Sequence, residues 1–183
     1  MTEELAVLQS KWISLHDALN DSVKDQELAA PFVSAGSEKS DQGRAILLVG
    51  KATWGAFYKE QFDIAKNKSI RERVQERRET TELCIQEKKN SNTAFWAFRR
   101  KLVCIGRPVV WTNLAKIGAA SGNPRSLLLG EQQDLAQRTL RAEMEEYKPA
   151  LVVLVTSTYA AKEIAHPVFG HDESWEKPMV QCG

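Results

Sequence analysis

The chain has 183 residues, 43% of them hydrophobic and 27% charged. That is the balance of a globular chain and excludes collagen-like, mucin-like and wholly disordered classes. Its 25 Lys and Arg against 24 Asp and Glu leave a net charge of +1, so it is no polycation, and any nucleic-acid binding must use a local patch.

In chain order, Leu5, Leu8, Trp12, Leu15 and Leu19 recur at intervals of three and four. This predicts an amphipathic helix within a helical N-terminal segment, 1–30. The opening MTEELAVLQSKW is acidic and amphipathic, unlike a signal peptide. Residues 34–43, SAGSEKSDQG, read as a surface loop. AILLVG, Ala45 to Gly50, is a short continuous apolar run, as in a strand buried on both faces. KATWGAF follows as a loop. From Ala65 to Glu87 the chain is highly charged, with a thin helical stripe of Ile70, Val74, Thr81 and Ile85. Arg71, Arg73, Arg77 and Arg78 alternate there with Glu72, Glu76 and Glu79. Such a run predicts a solvated helix face, with a phosphate-contacting surface as the alternative.

Ser91 or Asn92 is placed to cap a helix bearing Phe95, Phe98, Leu102 and Ile105, with Trp96, Arg99, Arg100 and Lys101 off that stripe. Gly106-Arg107-Pro108 ends it. VVWTNL, Val109 to Leu114, reads as a second buried strand, and KIGAASGNPRS as a loop. Ala136, Leu140, Met144 and Tyr147 then share one face of a long helix that stops at Lys148-Pro149. ALVVLVT, Ala150 to Thr156, is the clearest strand of all, and STYAAKEIA reads as a short helix. The tail 166–183 is irregular, with MVQC as a last strand or its stub.

Apolar strands alternating with helices imply parallel pairing through right-handed crossovers. The expected fold is a three-layer α/β/α arrangement with a short, mainly parallel central sheet. One domain, 1–183, is expected, with a core over 45–165 between the helical segment and the tail. Cys84, Cys104 and Cys182 are widely spaced and form no C-x-x-C, so no metal site is expected. Cys84 and Cys104 read as small buried residues, and reduced thiols suit a cytoplasmic protein. No apolar run nears the ~20 residues that span a bilayer, so no membrane partner is expected.

Ligands of open parallel sheets sit beyond the carboxyl ends of the strands. That rule nominates the Gly-flanked loop Gly50 to Gly55, the stretch Asn113 to Arg125, and Thr156 to Tyr159. The first loop matches neither a dinucleotide nor a P-loop pattern. Asn113, at the end of an apolar strand, offers one acceptor and two donors. It either reads a base edge or caps the following turn. Arg125 either holds a phosphate or covers the surface.

Together these segments resemble a family. VVWTNLAKIGAASGNPRS, a long helix, then EEYKPALVVLVTSTYAA look like the uracil-DNA glycosylase superfamily. The closest likeness is to the branch in which a strand ending in Thr-Asn leads into a Pro/Asn/Arg loop. The first loop, LLVGKATWG, stands where that family has Gly-Glu-Ala-Pro-Gly or Gly-Gln-Asp-Pro. The likeness spans Ile46 to Ala161. It implies that Gly50, Lys51, Ala52 and Thr53 lie at the glycosidic bond, that Asn113 reads a flipped pyrimidine, and that Asn123, Pro124 and Arg125 face DNA. An aromatic behind the first loop, Phe57 or Phe62, would stack on the base.

The chain also departs from the family. Lys51 and Ala52 stand where Glu or Asp orients the water, and loss of a positioned base forfeits about 10²–10⁴-fold in rate. The late His-Pro-Ser loop is not met, since His166-Pro167 follows the third strand too soon, and His166 then reads as a helix-end residue. A divergent, C-terminally shortened member is therefore expected. The cysteines do not fit an iron–sulfur cluster, and no cofactor is expected. The reading is a uracil-DNA-glycosylase-like protein that engages DNA, a nucleotide or a nucleobase through Gly50, Lys51, Ala52, Thr53, Phe57, Asn113, Asn123 and Arg125. It is a base-excising hydrolase of DNA repair if active, with no catalytic residue assigned. The alternatives are an inactive binding module of the same fold, or a protein-interaction domain using the charged 65–90 helix or the tail around Trp175.

Overall fold

Three apolar segments form a parallel sheet in the computed structural model, which describes residues 2–22, 28–36, 43–52, 67–119, 126–156 and 160–170. They are β1 (Ile46–Ala52), β2 (Val109–Ala115) and β3 (Leu151–Leu154), in the spatial order β2-β1-β3. In register, Ile46 lies beside Val109 and Leu151, and Gly50 beside Asn113. Among the described residues the helices are α1 (Glu3–Ser22), α2 (Ile70–Lys88), α3 (Ala94–Cys104), α4 (Ser126–Tyr147) and the short α5 (His166–Phe169), which a π-helical turn (Ala161–Ala165) precedes.

Side chains alternate across the sheet, as extended backbone requires. Leu47, Val49, Val110 and Leu114 point to one face, where Trp12 of α1, Ala136 and Leu140 of α4, and Ile164 meet them. Ile46, Leu48 and Val109 point to the other, against Phe95, Phe98 and Leu102 of α3. This is the three-layer arrangement expected. Fully burying each Leu, Ile or Val side chain among them contributes about 1.5–3 kcal/mol. Helix α1 also joins α4 directly, the Trp12 indole N–H donating to Thr139 Oγ1 at 2.9 Å. Among the described residues no helix is long and apolar enough to cross a membrane.

The segment 28–36 behaves differently from the loop expected at 34–43. Ser34 and Ala35 are buried, and the whole stretch from Leu28 to Ala35 lies inside. It runs antiparallel along the free edge of β2, with Phe32 N–H on the Lys116 carbonyl at 2.8 Å and Trp111 N–H on the Ala35 carbonyl at 2.9 Å. That covers backbone groups an edge strand would leave unpaired. Gly36 ends the segment at φ +113, where a Cβ would stand 2.6 Å from the Val109 carbonyl oxygen. Glycine alone adopts that backbone without strain.

Other expectations are corrected. β3 spans only Leu151–Leu154 and none of its side chains is fully buried, with Leu151 49% exposed; among the described residues it is the sheet's other edge. Ile105 is 63% exposed, since α3 stops at Cys104, and Cys104 itself is exposed while Cys84 is buried. Thr93, not Ser91 or Asn92, holds the N-cap position of α3. Arg73 and Arg77 are not on a solvated face. Arg73 donates to both Asp17 oxygens at 2.7 and 2.8 Å, and Arg77 donates to the Pro31 carbonyl at 3.2 Å. The MVQC segment lies outside the described residues.

Tyr147 ends α4 with its hydroxyl 3.1 Å from that of Ser34, tying the edge segment to the helix. Burial pushes this hydroxyl from its ordinary 10.0 up to about 12, against the opposing Ser34 bond. A raised acid pKa gives stability that is complete below pH 10 and is lost as pH rises through the folded value. Relative to Tyr147→Phe, the wild-type chain is expected to lose about 1–2 kcal/mol between about pH 9 and about pH 11.5. Urea unfolding at both pH values checks this; a constant difference between the two proteins contradicts it.

Candidate functional site

The β-branched and aromatic run Val109-Val110-Trp111-Thr112 favours extended backbone and carries Asn113 to the carboxyl end of β2. Asn113 shares a face with Trp111, two residues before it. The Trp111 indole N–H donates to Asn113 Oδ1 at 3.1 Å. Across the ladder stands Gly50. A Cβ on Gly50 would lie 2.4 Å from Asn113 Oδ1 and 3.4 Å from Trp111 Nε1. The carboxamide therefore occupies the space a side chain at position 50 would fill. Asn113 is 2% exposed, and among the described residues its Nδ2 has no hydrogen-bond partner. A buried donor left unmatched costs about 1–3 kcal/mol.

An aromatic cluster surrounds Trp111. Phe32 of the edge segment meets it edge-on at 4.7 Å between ring centroids, Trp96 at 5.2 Å and Phe95 at 5.4 Å. Trp96 thus packs inward against β2, although the α3 stripe predicted it to lie outside. The reason is that the first turn of α3 sits over the sheet face that carries Trp111, so both Phe95 and Trp96 reach it.

On the opposite face of β2 sits a second polar group. Thr112, Lys116 and Glu143 are all buried, the last two each 1% exposed. Lys116 Nζ donates to both Glu143 oxygens at 2.8 and 3.0 Å, and also to Thr112 Oγ1. Thr112 Oγ1 donates in turn to Glu143 at 2.8 Å. Burial pulls the Lys116 ammonium below the usual lysine range, and Glu143 pulls it back. Glu143 is thereby committed to Lys116 and Thr112, and it faces away from Asn113.

Of the residues nominated by sequence, Gly50, Lys51, Ala52 and Asn113 come together at the carboxyl ends of β1 and β2. Lys51 is exposed and Ala52 half-buried beside Ala115. Thr53, Phe57, Phe62, Asn123, Pro124 and Arg125 lie outside the described residues. Among the described residues no three His, Cys, Asp or Glu side chains cluster as a metal ion would need. The sequence reading missed Trp111 as the Asn113 partner, though their spacing of two along a strand carries that signal. It also missed the Lys116–Glu143 pair, which no local pattern marks. Comparison with protein-family models, curated proteins and solved structures finds no match.

The packing of Asn113 on Gly50 is testable by a double-mutant cycle. Gly50→Ala is expected to cost about 1–3 kcal/mol by overpacking. In an Asn113→Ala background the same change is expected to cost less than half as much. Strict additivity in urea unfolding would show that the carboxamide does not lie over Gly50.

Proposed function

We propose that this chain recognises a nucleobase, in a nucleotide or a DNA strand, in the manner of the uracil-DNA-glycosylase-like proteins its motifs resemble. The observation that carries the reading is the buried, unmatched Nδ2 of Asn113 at the carboxyl edge of a parallel sheet. A pyrimidine carbonyl oxygen is a natural acceptor for that donor. A base inside a duplex is shielded by stacking, so engagement at this depth calls for a flipped or single-stranded nucleotide.

Hydrolysis of the glycosidic bond needs a group that orients or deprotonates water. Among the described residues no carboxylate bonds to Asn113, and Glu143 is held by Lys116. This favours base recognition without excision, a binding module of the same fold, over DNA repair by hydrolysis. Reduced thiols at Cys84 and Cys104 suit a reducing, cytoplasmic setting.

The test uses a labelled uracil-containing oligonucleotide, single- and double-stranded. The single strand is expected to bind, to weaken steeply as salt rises, and to weaken at least about tenfold in Asn113→Ala, equivalent to about 1.4 kcal/mol. Binding without base release assigns a recognition module. Release abolished by Asn113→Ala assigns a glycosylase. Indifference to both strands refutes the nucleobase reading and favours a protein-interaction domain.

A further inference from the structure

We propose that Arg99 and the first turn of α3 form a binding site for a phosphate group, free or carried on a nucleotide. The site rests on different residues from the base-recognition reading and stands without it.

Arg99 is 8% exposed, yet among the described residues it makes no hydrogen bond and no ion pair, and its Nε is buried without a partner. The other buried cations of known partner are matched: Arg73 by Asp17, Arg77 by the Pro31 carbonyl, Lys116 by Glu143. A buried guanidinium Nε–H without an acceptor is costly, by about 1–3 kcal/mol in general, and the Trp96 ring under this cation offers no hydrogen-bond acceptor in the ring plane. Burial alone lowers its pKa from the ordinary arginine value, with no carboxylate to raise it again.

The direction of the side chain gives this cation a place. Helical side chains lean toward the N-terminus of their own helix. The Arg99 guanidinium lies 6.0 Å from the ring centroid of Trp96, one turn back. The Arg99 side chain therefore reaches back along α3 to the side chain of Trp96, in the helix's first turn. There the Thr93 side chain makes no cap hydrogen bond, and the first turn carries no acid. The amide groups of Ala94, Phe95 and Trp96 have no intrahelical acceptor, as in any first turn. Free N–H groups and the positive end of the helix dipole favour an anion at that spot. An anion held between this cation and the first turn would meet the unmatched Nε–H and the helix amides together.

Two further features fit. Arg100, the neighbouring arginine, donates to the Lys89 carbonyl at 3.1 Å and to the Ser91 carbonyl. It holds the turn that leads into α3, so scaffold and ligand roles fall to different arginines. The surrounding sequence is also polarised. Between residues 88 and 130 the chain has eight Lys and Arg and no Asp or Glu, although its net charge is only +1. The planar guanidinium fork matches phosphate oxygens in a bidentate geometry.

The experiment titrates inorganic phosphate, thymidine monophosphate and a short thymidine oligonucleotide into the full chain. Thermal stability and tryptophan fluorescence are read, since Trp96 borders the site. In phosphate-free buffer, Arg99→Gln is expected to be at least as stable as wild type, because it removes an unmatched desolvated charge. Its phosphate affinity is expected to fall at least about tenfold, that of Arg99→Lys about two- to fivefold, and that of the exposed control Arg107→Gln less than about twofold. An oligonucleotide that binds at least about tenfold tighter than inorganic phosphate, with the same Arg99 dependence, assigns a nucleic-acid phosphate; equal affinities assign free phosphate. Should Arg99→Gln fail to fold, weaker phosphate binding by folded Arg99→Lys supports the site and unchanged binding overturns it. Equal phosphate binding by wild type and Arg99→Gln, or no binding of any probe by wild type, overturns it outright.

Discussion

A lysine and a glutamate, each 1% exposed, meet at 2.8 Å beneath the carboxyl end of β2. Neither charge is tolerable there alone, and removal of one partner of such a pair typically costs about 3–5 kcal/mol. Lys116 comes from the turn after β2 and Glu143 from the last third of α4, so the pair pins the helix to the strand. Thr112 completes it through both Glu143 oxygens. Eleven residues before Glu143 on the same helix, Gln132 extends the clamp, accepting from the Ile117 N–H at 3.0 Å and donating to the Ile117 carbonyl at 2.9 Å. The chain leaving β2 is thus fixed from its side chain and from its backbone. Because strand side chains alternate, holding Thr112 toward α4 compels Trp111 and Asn113 toward α3 and over Gly50. A slip of one residue would exchange the two faces and bring Asn113 to Glu143. The candidate site is a consequence of the buried pair on the far side of the same strand.

The two edges of the sheet are treated unequally, and this also bears on the site. The β2 edge is sheathed by residues 28–36, which supply Phe32 to both faces of the arrangement. Its ring lies 4.7 Å from that of Trp111 and 5.9 Å from Lys116 Nζ. Ser34 of the same segment reaches Tyr147 at the end of α4. The segment therefore locks the strand that bears Asn113 to the helix that bears Glu143. Among the described residues β3 has no such cover, and its side chains are correspondingly half-exposed.

What the sequence made legible follows from how local each signal is. The helix periods of α1 and α4 and the apolar runs of β1 and β2 are properties of neighbouring residues, and they lie close to where periodicity puts them. Asn113 and Gly50 were each legible as strand-end residues. Their contact was not, because it depends on the register of two strands 63 positions apart in the chain. Arg73 looked solvated because its carboxylate, Asp17, lies 56 residues earlier. The edge segment 28–36 was not legible, residues 28–30 being assigned to the helical segment 1–30 and Ser34 to a surface loop, because it forms only isolated bridges to a distant strand and Pro31 interrupts any ladder. Trp96 fell off the α3 stripe because the helical period describes one flat face, whereas this helix begins over a tryptophan that stands up from the sheet.

The hydrogen-bonding character of the site follows from one indole. A tryptophan N–H donates and cannot accept. Trp111 therefore requires the oxygen of the Asn113 amide to turn toward it, and Nδ2 is what remains for anything else. On the same sheet face, Trp111 touches Trp96, and Trp96 carries the Arg99 guanidinium. Lys51 lies at the end of the adjacent strand. Every unmatched polar group in this series is a donor: the Asn113 amide N–H, the guanidinium, and the first amides of α3. Among the described residues no acceptor bonds to Asn113 Nδ2 or Arg99 Nε, and the Glu143 carboxylate, on the other face of β2, is held by Lys116 and Thr112. A surface built this way discriminates by sign and by role. Under both proposals such donors would favour ligands rich in acceptors over cations and donor-rich ligands. Carbonyl oxygens of a pyrimidine and oxygens of a phosphate are both of that kind, which is why the two proposed contacts are chemically consistent although neither depends on the other.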